Sequence, residues 1–250
     1  MLNIVREILK AYWNNEFIAI IVYGAHGYGK SSYSTKGLAE TRGVLDLIEE
    51  GYSWQTILED SLKKTPTLFK PNYSIDYLDR YMKWHPKDVV DRLLEMMERE
   101  VVFVWDDAGF WLNALEWSHP WVRAVQKYMN VVRTDFGAII FTTPDPTWVT
   151  KKIRSIPQAL TVKIIKASSD PYQKYVRLAR AYRWWKHPDM KRSGVHKIWE
   201  DRFSCLLPDD VFNWYVPKRK EYAVQAKLLM RDQLKTLKEG EVIPPEEVKI

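Results

Sequence analysis

Residues 17–23, Phe-Ile-Ala-Ile-Ile-Val-Tyr, form an unbroken apolar, β-rich run, and the next eight, Gly-Ala-His-Gly-Tyr-Gly-Lys-Ser, match G-x-x-x-x-G-K-[ST] at every fixed position. A continuous apolar run is what a strand buried on both faces of a parallel sheet requires. A glycine-rich loop leading from such a strand into a helix is a phosphate-binding loop. Its glycines let successive backbone N–H groups converge on phosphate oxygens, and the helix N-terminus adds partial positive charge. The segment predicts a triphosphate site made by Gly24, Ala25, His26, Gly27, Tyr28, Gly29, Lys30, Ser31 and Ser32. Lys30 is expected to reach the β- and γ-phosphates and the Ser31 hydroxyl to ligate Mg²⁺, so ATP and Mg²⁺ are the expected cofactors. His26 and Tyr28 fill variable positions. The plainer reading, a glycine-rich turn with a chance lysine, is disfavoured by the strand before it and the helix after it.

Three further apolar runs follow. Residues 101–105 lead into Asp106 and Asp107, the arrangement of a Walker B strand. Asp106 is expected to hold magnesium through water, and Asp107 to orient and deprotonate the attacking water. Residues 138–142 lead into Thr142 and Thr143, at the strand end where ligands gather in open α/β sheets. One of these hydroxyls is expected to sense the γ-phosphate or attacking water; a simple strand cap is the alternative. Residues 161–167 read as the last core strand. Helical periodicity covers 2–13, 31–42, 54–63, 86–99, 121–133 and 147–156, with a short strand fitting 67–70 between prolines. Strands alternating with helices predict an α/β fold with a parallel sheet flanked by helices.

Arg154, near the end of the helix after the third strand, is positioned to serve a neighbouring subunit's nucleotide, where a cation stabilises phosphoryl transfer. Arg133 competes for that role. The ordinary alternative is a basic surface cluster of Lys151, Lys152 and Arg154.

After residue 168 the pattern changes to two antiparallel strands, 175–186 and 197–206, then one long charged helix over 208–239 and a loose tail. This predicts a core over 1–168, a hairpin and helix over 169–239, and a tail over 240–250. Arg177, Arg180 and Arg183 stand among Tyr182, Trp184 and Trp185, a pattern suited to phosphate contact and base stacking. A solvated strand face fits equally. Lys218, Arg219 and Lys220 are a second basic cluster.

The formal net charge of +6 favours a polyanionic partner, so DNA is expected. The 12 tryptophans fit core and interface packing. A single cysteine, Cys205, leaves no intramolecular disulfide, and no apolar run reaches the roughly 20 residues of a membrane helix. A cytoplasmic protein without membrane contact is expected. The histidines have no metal-ligand spacing and read as structural.

Together, residues 21–31, Asp106-Asp107-Ala-Gly-Phe-Trp-Leu112 and Ala138-Ile-Ile-Phe-Thr-Thr-Pro-Asp-Pro146 resemble the DnaA-like P-loop ATPases of spindle-shaped archaeal viruses (fuselloviruses) and related mobile elements. The likeness covers about 17–167 and returns weakly over 207–220. It implies a three-layer ASCE or AAA+ type sheet, ATP-driven self-assembly into a ring or filament (a hexamer among the options), and a role in DNA replication or transcription control, with a helicase or other replication protein as partner. It adds weight to Asp107 as catalytic carboxylate and Arg154 as intersubunit arginine. The C-terminal third departs from the initiator pattern, with neither a helix-turn-helix nor a winged helix. A DNA packaging or translocation motor and a nucleotide-dependent switch or scaffold are the competing functions.

Overall fold

The structure, a computed structural model, describes residues 1–156, 158–186 and 193–236. The first strand, β1 (Ile18–Tyr23), is buried at five of its six positions, as its apolar run requires. It lies between two parallel neighbours, β4 (Phe136–Thr143) and β5 (Leu160–Lys166). Beyond β4 come β3 (Glu100–Trp105) and a two-residue β2 (Met82–Lys83), both parallel. Beyond β5 come β6 (Val176–Lys186) and β7 (Ser193–Ser204), both antiparallel. The sheet order is β2-β3-β4-β1-β5-β6-β7. Its parallel part, with one strand between the loop-bearing β1 and the acid-bearing β3, is the strand order of ASCE-type P-loop NTPases.

Helices cover both faces of the parallel part. Helix α1 (Asn3–Trp13) turns Ile4, Val5, Ile8 and Leu9 inward and packs beside α2 (Lys30–Glu49), with Gly37 against the Ile4 side chain. Two short helices, α3 (Trp54–Ser61) and α4 (Ile75–Tyr81), follow α2. The opposite face holds an apolar cluster in which Phe103, Trp105, Ile139 and Phe141 meet Val89 of α5 (Pro86–Glu95) and Val125 of α7 (Pro120–Tyr128). The four-residue α6 (Ala108–Trp111) follows the acid pair, and α8 (Lys151–Arg154) adds Ile153 to this cluster.

Several elements differ from expectation, each for a local reason. Residues 67–70 form no strand because the backbone N–H groups of Thr67, Leu68 and Phe69 all donate to the Asp60 carboxylate and are lost to any ladder. Helix α2 runs past 42 because Val44 and Leu47 extend its buried side. The helix expected over 147–156 is broken at Val149, which is extended and bridges Asn113, leaving only the single turn of α8.

The expected boundary at 168 is corrected. Strands β6 and β7 continue the sheet, and the chain divides into units Met1–Leu207 and Pro208–Ile250. The hairpin belongs to the first unit because Asp201 of β7 receives Asn3 N and the Tyr33 hydroxyl, 2.9 and 2.7 Å away. That carboxylate therefore caps α1 while anchoring α2. Burial beside Asp201 pushes the Tyr33 phenol upward, so it remains a donor. In the second unit α9 spans Asp209–Thr236, with Pro217 inside it. The loose tail expected from 240 lies outside the described residues.

Candidate active site

The loop after β1 depends on backbone that only glycine adopts without strain. Gly29 has φ +90°, and a Cβ there would lie 2.8 Å from Cys205. Gly24 has φ +150°, and its Cβ would meet the Ile164 carbonyl at 2.6 Å. The loop is thus wedged between β5 and the end of β7, and it opens directly into α2 at Lys30. Arg177 on β6 tightens the wedge: it is buried, and its Nε donates to the Tyr28 carbonyl at 3.1 Å. Lys30 is 7% exposed, its ammonium donating to the Gly24 and Ala25 carbonyls at 2.9 and 3.3 Å.

The acid pair reaches this loop across one strand. Asp106, fully buried at the end of β3, accepts from the Ser31 hydroxyl at 2.9 Å and from the Thr142 hydroxyl at 2.5 Å through the same carboxylate oxygen, Oδ1. Its Oδ2 accepts from the Trp84 indole at 3.0 Å. Thr142 sits on β4, the strand between, and its hydroxyl also accepts from the Asp107 backbone N–H at 2.8 Å. One threonine therefore fixes both acids, while Ser31 joins them to the loop. Asp107 stands in left-handed backbone, φ +53°, which costs a non-glycine residue on the order of 1 kcal/mol and persists only where the surroundings fix it. It is half-buried where Asp106 is fully enclosed.

Ser31 and Asp106 form an all-oxygen pair, suited to a hard cation that keeps most of its own water. No group of three or more His, Cys, Asp or Glu placed to hold a metal ion occurs among the described residues. Magnesium fits this donor set because it needs one or two carboxylates beside phosphate oxygens rather than a closed protein cage.

The other expected site residues divide. Thr143 turns away from the acids: its hydroxyl donates to the Asp145 carbonyl, and it packs against Gly109, where a Cβ would collide with it. Arg154 donates from Nε to the Val149 carbonyl at 2.8 Å. Arg133 is exposed and precedes β4, at the end of the strands opposite the loop. The three arginines expected to share a DNA surface do not share a face, because a period of three on a strand of period two separates them. Arg177 and Arg183 point toward the helices, Arg177 to the phosphate loop and Arg183 to Glu7 of α1 at 3.3 Å. Arg180 faces the other side and pairs with Glu200 at 2.6 Å. Trp84 and the loop-holding role of Arg177 escaped the sequence reading. Each lies far along the chain from its partner, 22 and 149 residues away, and no local pattern marks it.

No protein-family model matches the chain. It is similar to the uncharacterized protein B-251 of Sulfolobus spindle-shape virus 1, with 25% identity over 242 residues, covering 89% of this chain and 81% of that protein. A distant likeness to the crystal structure of the N-terminal domain of zonular occludens toxin from Neisseria meningitidis has a TM-score of 0.34 and 12% identity, over 78% of this chain and 96% of that one. No helix among the described residues is long and apolar enough to cross a membrane.

Proposed function

We propose that this protein is an ATPase that acts on DNA during replication of an archaeal virus or plasmid. The observation that carries the reading is the single network in which Ser31, at the mouth of the phosphate loop, and Thr142, on the intervening strand, meet on Asp106. A chance glycine turn has no reason to share a buried carboxylate with an acid-bearing strand. The similarity to a spindle-shape virus protein supports the viral setting, and the net charge of +6 supports a polyanionic partner.

The loop amides bind the triphosphate, and Lys30 exchanges the carbonyls of Gly24 and Ala25 for phosphate oxygens. Magnesium, when bound by Ser31 and through water by Asp106, supplies charge neutralisation on the phosphates. Thr142 and Trp84 hold Asp106 in one orientation. Asp107, the more exposed acid, orients and deprotonates the attacking water, and its strained backbone keeps it beside Thr142. Thr142 is the better placed of the two threonines to relay nucleotide state, since Thr143 is committed to the Asp145 carbonyl.

ATP turnover measured with and without single- and double-stranded DNA tests the reading. Lys30→Ala is expected to remove nucleotide binding and turnover. Asp107→Asn is expected to retain binding and reduce turnover to background. If calorimetry on folded protein with magnesium finds no ATP binding, the reading fails. If Asp107→Asn keeps full biological function, a nucleotide-dependent switch replaces the hydrolytic reading.

A further inference from the structure

On the sheet face that carries Trp105 and Phe141, a cleft of about 950 Å³ opens beyond β1. Residues of β5, β6 and β7 form one wall, and residues around α8 form the other. Its lining contributes the cations Lys151, Arg154 and Lys163 and the aromatics Tyr182, Trp184 and Trp185, with no carboxylate among the described residues. Lys151 and Lys163 are exposed, and neither has an ion-pair partner among the described residues. Nearby acids are already engaged: Glu200 with Arg180 and Lys197, and the Asp145 carboxylate with Thr147.

We propose that this cleft binds single-stranded nucleic acid, with bases stacking on Tyr182 and Trp184 and phosphates meeting Lys151 and Lys163. The proposal deepens the DNA-directed function above and rests on it. Register carries the geometry. Thr161 opposes Tyr182 and Lys163 opposes Arg180 across β5 and β6, so Lys163 and Tyr182 share a face. Trp184 is two residues beyond Tyr182 on that face, putting the two side chains about 6.7 Å apart along the strand. That is about twice the ~3.4 Å stacking rise of a nucleic-acid strand, room for one base between two rings. Trp184 is 63% exposed, so its indole is left open to a partner by the described residues. A duplex hides the base faces that such rings stack on, and an acidic peptide would satisfy the lysines but leave both rings without partners.

The test is fluorescence anisotropy of a labelled oligothymidylate with the full chain, in the presence of magnesium and a non-hydrolysable ATP analogue. Oligouridylate, a duplex of equal length and oligoglutamate serve as separate arms. Trp184→Ala is expected to weaken single-strand binding about tenfold with an unchanged salt slope. Lys163→Gln is expected to weaken it while reducing the log–log salt slope by about 0.7, the loss of one phosphate contact. Trp184→Phe should retain most of the affinity, and turnover without nucleic acid should stay at the wild-type rate in all three variants. The deoxy and ribo arms decide which strand is preferred. The proposal is overturned if the protein does not bind the single strand, if both Trp184→Ala and Lys163→Gln bind as wild type, or if oligoglutamate displaces the strand and binds Trp184→Ala as well as wild type. ATP calorimetry on the same samples separates the two readings: ATP binding without strand binding removes the cleft alone, and absent ATP binding removes the ATPase.

Discussion

A buried carboxylate is only as well placed as the donors that hold it, and at Asp106 the side chains of Ser31, Thr142 and Trp84 share in that task. Ser31 and Thr142 take one oxygen and the Trp84 indole takes the other. The backbone of Trp84 is in turn held by Trp105, whose Nε1 donates to the Trp84 carbonyl at 3.1 Å. Removing one hydrogen bond to a charged group costs about 1.5–3 kcal/mol. Trp84→Phe keeps an aromatic ring at this buried position but removes the indole N–H together with part of the ring. Its expected effect is a fall in kcat of about tenfold or more, with ATP affinity nearly unchanged, because the loop and Lys30 are untouched. Steady-state kinetics beside ATP calorimetry checks this; an equal loss in binding would mean that Trp84 shapes the loop rather than the acid. At this scale the sequence shows the residues that follow a local pattern, the loop and the acid pair. It hides Trp84 and Arg177 because their roles depend on strand neighbours fixed only after folding.

Among the elements, the strands read best and the short segments worst, and the difference is physical. β1, β3, β4 and β5 were legible because continuous apolar runs have few places to go but a buried sheet. The segment 67–70 has strand-like residues, yet one side chain overrides them. Asp60 collects the N–H groups of Phe69, Leu68 and Thr67 together with the Lys63 ammonium, and those donors, Phe69 first and then Lys63, hold its carboxyl well below the usual range. The sign of the pH effect follows. A carboxyl with a lowered folded-state pKa contributes its stability fully above about pH 4–5, and loses it as pH falls through the ordinary carboxylate range toward the folded-state value. Hydrogen-exchange protection, corrected for the intrinsic pH dependence of the amides, is therefore expected to fall selectively in the 62–69 turn below about pH 4, and Asp60→Asn should show at neutral pH what acid does to wild type. Uniform loss of protection across β1 and β4 would instead place the acid sensitivity elsewhere.

For the whole molecule, Arg154 poses the sharpest question, because its surroundings suit two roles. The Nε bond to the Val149 carbonyl fixes the side chain at the cleft wall, while its place just after β4 is where the family resemblance puts an intersubunit arginine. The two roles separate by complementation. Lys30→Ala subunits lack a working phosphate loop but carry Arg154; Arg154→Ala subunits carry the loop but lack the arginine. Should assembly bring Arg154 to a neighbour's nucleotide, mixing the two inactive proteins creates interfaces with both parts. Turnover without DNA should then rise well above the sum of the separate preparations. An arginine that serves only the cleft acts within its own chain, so the mixture gives no more than that sum and Arg154→Ala loses only the response to DNA. Arg133→Ala, mixed with Lys30→Ala in the same way, tests the competing arginine, which lies at the end of the strands away from its own loop and so would act on nucleotide from another subunit. Light scattering with and without ATP shows whether subunits associate under these conditions. Nucleotide-dependent assembly together with additive mixtures for both arginines would mean that ATP organises the subunits but that each completes its own chemistry.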